Sequence, residues 1–131
     1  MNIFGGATGL MKQVLELRAA QHRIIASNIA NEETPGYRAK ELRFTEALVA
    51  ARSAQPVTIH VSHSNHLSVP SAGIEGYIST LPAGDLPLDA NSVNIDLEMA
   101  KLSNNAMSYN MTAELIARKF RGLLNVIREG R

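Results

Sequence analysis

His60, His63 and His66 form the cluster in this chain whose spacing most suggests chemistry, H-x2-H-x2-H. Zinc would need three or four ligands converging, with nitrogens at about 2.0–2.1 Å. The run Val57-Thr58-Ile59-His60-Val61 alternates as a strand does. On a strand His60 and His66 share one face and His63 points to the other. A helix would suit the spacing better, but the β-branched neighbours oppose one. No Asp, Glu or Cys lies in the stretch to complete a site. The pattern therefore reads as solvated loop histidines, and neither a metal nor another cofactor is expected. His22 falls outside the apolar stripe of its helix and reads as a surface residue.

Other catalytic patterns are weaker still. There is no G-x-S-x-G string and no spacing that pairs a nucleophile with a base. Gly5-Gly6-Ala7-Thr8-Gly9 follows no strand and lacks the Lys of a phosphate loop, so it reads as a helix lead-in. Glu32-Glu33 and the Asp96/Glu98 pair suit a turn and a helix start better than acid–base catalysis. The absence of Cys excludes disulfides, thiolate metal sites and a cysteine nucleophile. Thirteen Lys and Arg against twelve Asp and Glu leave a charge of +1, too little for bulk attraction to nucleic acid. Arg118, Lys119, Arg121 and Arg128 read as a solvated basic helix end. No apolar run approaches the roughly 20 residues of a membrane span. Met1-Asn2-Ile3-Phe4-Gly5 lacks the features of a cleavable signal peptide. No enzymatic activity is expected.

The elements that must position these residues are set by proline. Pro35, Pro56, Pro70, Pro82 and Pro87 all lie in the middle of the 131 residues, where each blocks helix continuation. The expected organisation is a single domain over 1–131. It comprises an N-terminal helix over 1–34, a turn, short helix and extended segment over 35–90, and a C-terminal helix over 91–131. In the last, Ile95, Met99, Leu102, Ala106, Tyr109, Ala113, Ile116, Phe120, Leu123 and Ile127 step by four and three. That period specifies a left-handed coiled-coil seam. Asn94 can cap its start, and the helix would run roughly 50 Å at 1.5 Å per residue. In the first helix Leu10, Val14, Leu17, Gln21, Ile24 and Asn28 repeat the pattern. The polar Gln21 and Asn28 either fix register as buried seam residues or lie at a solvated edge. Pro35 is expected to end this helix by pushing Thr34 out of the α region.

The expected fold is mainly α, an antiparallel coiled-coil hairpin with a short, irregular and weakly β middle. Phe44, Leu48 and Ala51 suggest a short helix, and Gly76-Tyr77-Ile78-Ser79 a second weak strand. Apolar residues remain beside both seams: Met11, Leu15, Ile25 and Ile29, and Leu97, Ala100, Met107, Met111, Leu115, Ala117 and Leu124. A hairpin helix needs one apolar stripe. The surplus is covered either by the middle folding back into a compact bundle or by neighbouring subunits of a helical polymer.

Ala26-Ser27-Asn28-Ile29-Ala30-Asn31-Glu32-Glu33-Thr34-Pro35-Gly36-Tyr37 resembles the A-S-N-I-A-N-x-x-T-P-G-Y signature of the bacterial flagellar rod and hook family. Asn91-Ser92-Val93-Asn94-Ile95-Asp96-Leu97-Glu98-Met99 is similar to that family's N-N-V-D-L-D-x-E-M string, departing at Ser92 and Asn94. Asn65-His66-Leu67 resembles a short histidine string of its middle region. The likeness covers residues 10–48 and 88–127 well. The short length and the ending Lys119-Phe120, Leu123, Ile127 look most like a proximal rod protein. The resemblance implies a structural subunit that assembles helically, links the membrane ring and its adapter to the rest of the rod, and transmits torque. Its implied partners are copies of itself, other flagellar rod proteins, the ring-to-rod adapter protein and the flagellar export apparatus. Its implied location is the basal-body rod in the periplasmic space, reached by export without a cleaved signal peptide. The competing expectation is a soluble helical adapter or export chaperone that binds partner helices.

Overall fold

The computed structural model describes residues 3–53, 73–81 and 92–129. The strand expected at Val57–Val61, the three clustered histidines and the Asn65-His66-Leu67 string lie outside the described residues. Helix α1 spans Ile3–Ala30 and helix α3 spans Ile95–Glu129. Between them stand strand β1 (Lys40–Leu42), helix α2 (Phe44–Ser53), a 3-10 turn (Ile74–Tyr77) and strand β2 (Ile78–Thr80).

Helix α1 ends four residues before Thr34, earlier than proline alone requires. Short polar side chains unwind it: the Asn31 amide donates to the Ser27 carbonyl at 2.7 Å, and the Asn31 backbone N–H is shared between Ser27 and Asn28 carbonyls at 3.2 Å each. Thr34, Pro35, Gly36 and Tyr37 then make the reversal. The Tyr37 N–H returns to the Thr34 carbonyl at 3.1 Å, and Gly36 takes φ of 71°. A type II turn requires a positive φ at its third position and favours proline at its second. Helix α3 starts where its cap predicts: the Asn94 side chain accepts from the Leu97 N–H at 3.1 Å.

β1 and β2 pair antiparallel, with Lys40 opposite Thr80 and Leu42 opposite Ile78. Bonds from Arg43 N to the Tyr77 carbonyl and from Leu81 N to the Ala39 carbonyl, each 2.9 Å, extend the ladder. The partner of Ile78–Thr80 is thus the chain just after the turn. The Lys40-Glu41-Leu42 strand is invisible to patterning, since it carries a single apolar residue.

The apolar core lies between α1 and this middle segment. Leu17, Leu42 and Ala47 are buried, with Ile24, Phe44, Leu48, Ile74, Tyr77 and Ile78 packed against them. The Gln13 amide ties α1 to the end of α2 through the Ala51 carbonyl at 3.0 Å. Helix α3 also packs on α1 and runs antiparallel to it, since Asn28 meets Glu98 whereas Arg18 meets Asn105. The expected hairpin is present. Its composition differs from an apolar coiled coil, because Leu17 and Ile24 of the α1 seam pack on the middle segment and the residues α3 buries are Glu98 and Asn105.

Candidate functional site

Asn28 is 1% exposed. Its Nδ2 donates to the Lys40 carbonyl at 2.8 Å and to Glu98 Oε2 at 2.9 Å. Its Oδ1 accepts from the Lys40 N–H at 2.9 Å and from the Tyr37 hydroxyl at 3.3 Å. Both donor hydrogens and both lone-pair sites of the amide are used, so one buried side chain joins α1, the turn, β1 and α3. On the far side, Glu98 Oε1 accepts from Lys101 at 2.8 Å. Ser92 adds a second tie: its Oγ accepts from the Ala39 N–H at 2.8 Å and donates to the Tyr37 carbonyl at 3.2 Å.

The two motif strings of the sequence therefore meet in space. Of the signature residues, Ser27, Asn28, Asn31, Thr34, Gly36 and Tyr37 act in the junction or the turn. Ala26, Ala30 and Pro35 are exposed and Ile29 is half-buried. Of the alternatives for the polar seam residues, Asn28 is buried and Gln21 is half-buried beside Arg18, accepting from its guanidinium at 3.3 Å.

A second polar contact lies along the same helix pair. Asn105 Nδ2 donates to the Arg18 carbonyl at 2.9 Å, and its Oδ1 accepts from the Arg18 guanidinium at 3.4 Å. That guanidinium lies 4.3 Å from the centre of the Phe44 ring, a cation–π distance. A groove of about 290 Å³ opens beside it, lined by Arg18, Ala19, His22, Asn105, Ala106, Tyr109 and Asn110. His22 is exposed, as its position outside the stripe predicts. The groove holds no carboxylate to pair with His22, and among the described residues no three His, Cys, Asp or Glu side chains gather as metal ligands. The sequence alone places Glu98 at a helix start, where the dipole explains it, and shows no role for Arg18. The usable signal was that Glu98 and Asn105 stand one heptad apart, beside the apolar seam.

The seam residues of the two helices have different fates. Leu17 is buried and Leu10, Val14 and Ile24 are half-buried. On α3, Leu102, Ile116 and Leu123 are half-buried, while Ile95, Met99, Tyr109, Phe120 and Ile127 are exposed. Leu97, Met107, Met111, Leu115, Leu124 and Val126 are exposed as well. At about 100° per residue, Ile95, Met99, Tyr109, Phe120, Leu124 and Ile127 fall within an arc of about 80°. Leu97, Met111, Leu115 and Val126 fall on the opposite side of the helix. Glu98 and Asn105 lie between these stripes on the side facing α1, and Asp96, Ser103, Arg121 and Arg128 between them on the outer side.

No family model matches the chain. Whole-chain comparison finds similarity to flagellar basal body rod protein FlgB of Escherichia coli, 29% identical over 95% of this chain and 94% of the relative. The corresponding protein of Salmonella typhimurium is also 29% identical with the same coverage. That of Cereibacter sphaeroides is 27% identical over 98% of each chain.

The chain is a homologue of the FlgB rod proteins.

The similarity runs through the middle as well as through the two motif regions. The FlgB rod proteins are structural and not enzymes, and the homology supports a structural subunit of the flagellar basal-body rod. No helix among the described residues is long and apolar enough to cross a membrane.

Proposed function

We propose that this chain is a single-domain proximal rod subunit over residues 1–131. In this reading it assembles helically with copies of itself and with other rod proteins, its terminal helices lining an inner tube. It links the membrane ring and the ring-to-rod adapter to the rest of the rod and carries torque. It reaches the periplasmic space through the flagellar export apparatus, without a cleaved signal peptide.

The observation that carries the proposal is the surface of α3. A helix of 35 residues presents apolar stripes on two opposite sides, and among the described residues none covers either. Exposed apolar surface on this scale marks an interaction face. Covering one such side chain contributes on the order of 1 kcal/mol, while association costs roughly 4–15 kcal/mol. One residue is therefore insufficient and a continuous stripe is adequate. Two opposed stripes call for at least two neighbours, as a helical polymer supplies. An adapter or chaperone that binds one partner helix needs only one stripe.

The seam residues Ile95, Met99, Tyr109, Phe120 and Ile127 are assigned here to packing between subunits, with Leu102, Ile116 and Leu123 at the margin toward α1. The test is Phe120→Asp, which places a charge in an exposed stripe position. It is expected to abolish rod assembly and swimming, since burying an unpaired charge is prohibitive, while leaving the helical circular dichroism of the purified chain intact. Normal swimming of the variant would refute the assignment.

A further inference from the structure

Apolar positions spaced by three and four residues look the same after a slide of one heptad, so packing of such stripes alone selects register weakly. Polar contacts break that degeneracy here. Glu98 and Asn105, the buried residues of α3, stand one heptad apart, and each meets a different polar partner on α1. A slide that brings Asn105 opposite Asn28 removes the Glu98 carboxylate from the Asn28 amide and separates Asn105 from the Arg18 carbonyl. The opposite slide leaves Asn28 facing the chain that precedes α3 and pulls Ser92 away from Ala39 and Tyr37. Either slide leaves buried donors and acceptors unpaired.

We propose that the Asn28–Glu98 and Arg18–Asn105 contacts set the register of the α1–α3 pair. They thereby fix the axial positions at which α3 offers its apolar stripes. Asn28 is the principal positioning residue, because its amide spends all its hydrogen-bonding capacity on three other elements. The inference rests on hydrogen-bond geometry within one chain and stands independently of the rod assignment.

The chain contains no cysteine, so cysteine pairs can report register without background. Gln21 and Asn104 line one groove between the helices. Gln21→Cys with Asn104→Cys reports the native register, and Gln21→Cys with Met111→Cys reports a slide of one heptad. Both pairs are treated with a short bis-maleimide in the purified full-length chain. With Asn28 present, the native pair should cross-link roughly tenfold more efficiently or better. In Asn28→Leu the two yields should approach each other while the helical signal persists. An unchanged ratio in Asn28→Leu overturns the proposal. If Asn28→Leu loses its helical signal, the double variant Glu98→Met with Asn105→Leu is read in the same way. It keeps the bonds from Asn28 to Lys40 and Tyr37, and an unchanged ratio there also overturns the proposal.

Discussion

Asn28 illustrates why a polar residue can occupy a seam position of an amphipathic helix. Replacing it with Ala would strand the Lys40 N–H and carbonyl, the Tyr37 hydroxyl and Glu98 Oε2, all of which now meet its amide. Such losses cost about 1–3 kcal/mol per buried group that stays unpaired. Asn28→Ala should therefore destabilise the chain by about 3 kcal/mol, measured as a fall in the urea midpoint. Gly36 makes a contrasting case. Its φ is 71°, and a Cβ there would meet nothing within 4 Å, so Gly36→Ala bears only the backbone cost of the left-handed region. That cost is about 1 kcal/mol, and a larger effect would show that the turn has an unseen neighbour. The Thr-Pro-Gly reversal was legible because Pro and Gly have fixed backbone consequences. The burial of Glu98 was not, because a carboxylate near a helix start has an ordinary solvated explanation.

Element-scale reading found the helices and the site of β2 but missed β1, for a physical reason. The four-and-three spacing of α3 holds from Ile95 to Ile127, and such a period is a local property. Which face then packs on α1 depends on neighbours distant in sequence, and the face chosen carries Glu98 and Asn105. β1 exists because its backbone finds β2, 38 residues on, in register from Lys40–Thr80 to Leu42–Ile78. No composition signal in Lys40-Glu41-Leu42 could announce that pairing. Of the surplus apolar residues beside the α3 seam, Leu97, Met107, Met111 and Leu115 lie on the side of the helix away from it, whereas Leu124 joins the seam stripe. Met111→Asp on the side away from the seam should block assembly as Phe120→Asp does, with less than about 1 kcal/mol lost from the isolated chain, because both sites are exposed. Motility retained in Met111→Asp but lost in Phe120→Asp would reduce α3 to a single contact face.

At the scale of the molecule, the described parts of the middle segment fold back onto α1. The buried apolar cluster of Leu17, Leu42 and Ala47 contains no residue of α3. The described part of the middle covers α1, while α3 keeps exposed apolar residues on two sides. The small polar junction holds the two motif regions together, and the long helix supplies surface. A structural subunit needs that division, since its own fold must persist while its largest apolar surface stays available. Membership of the rod is tested most directly by immunoblotting of basal bodies purified from the bacterium that carries this chain. The chain is expected to copurify with the other rod proteins at the membrane-proximal end, and the Phe120→Asp variant to be missing there. A chain confined to the cytoplasmic fraction and absent from purified basal bodies would contradict it.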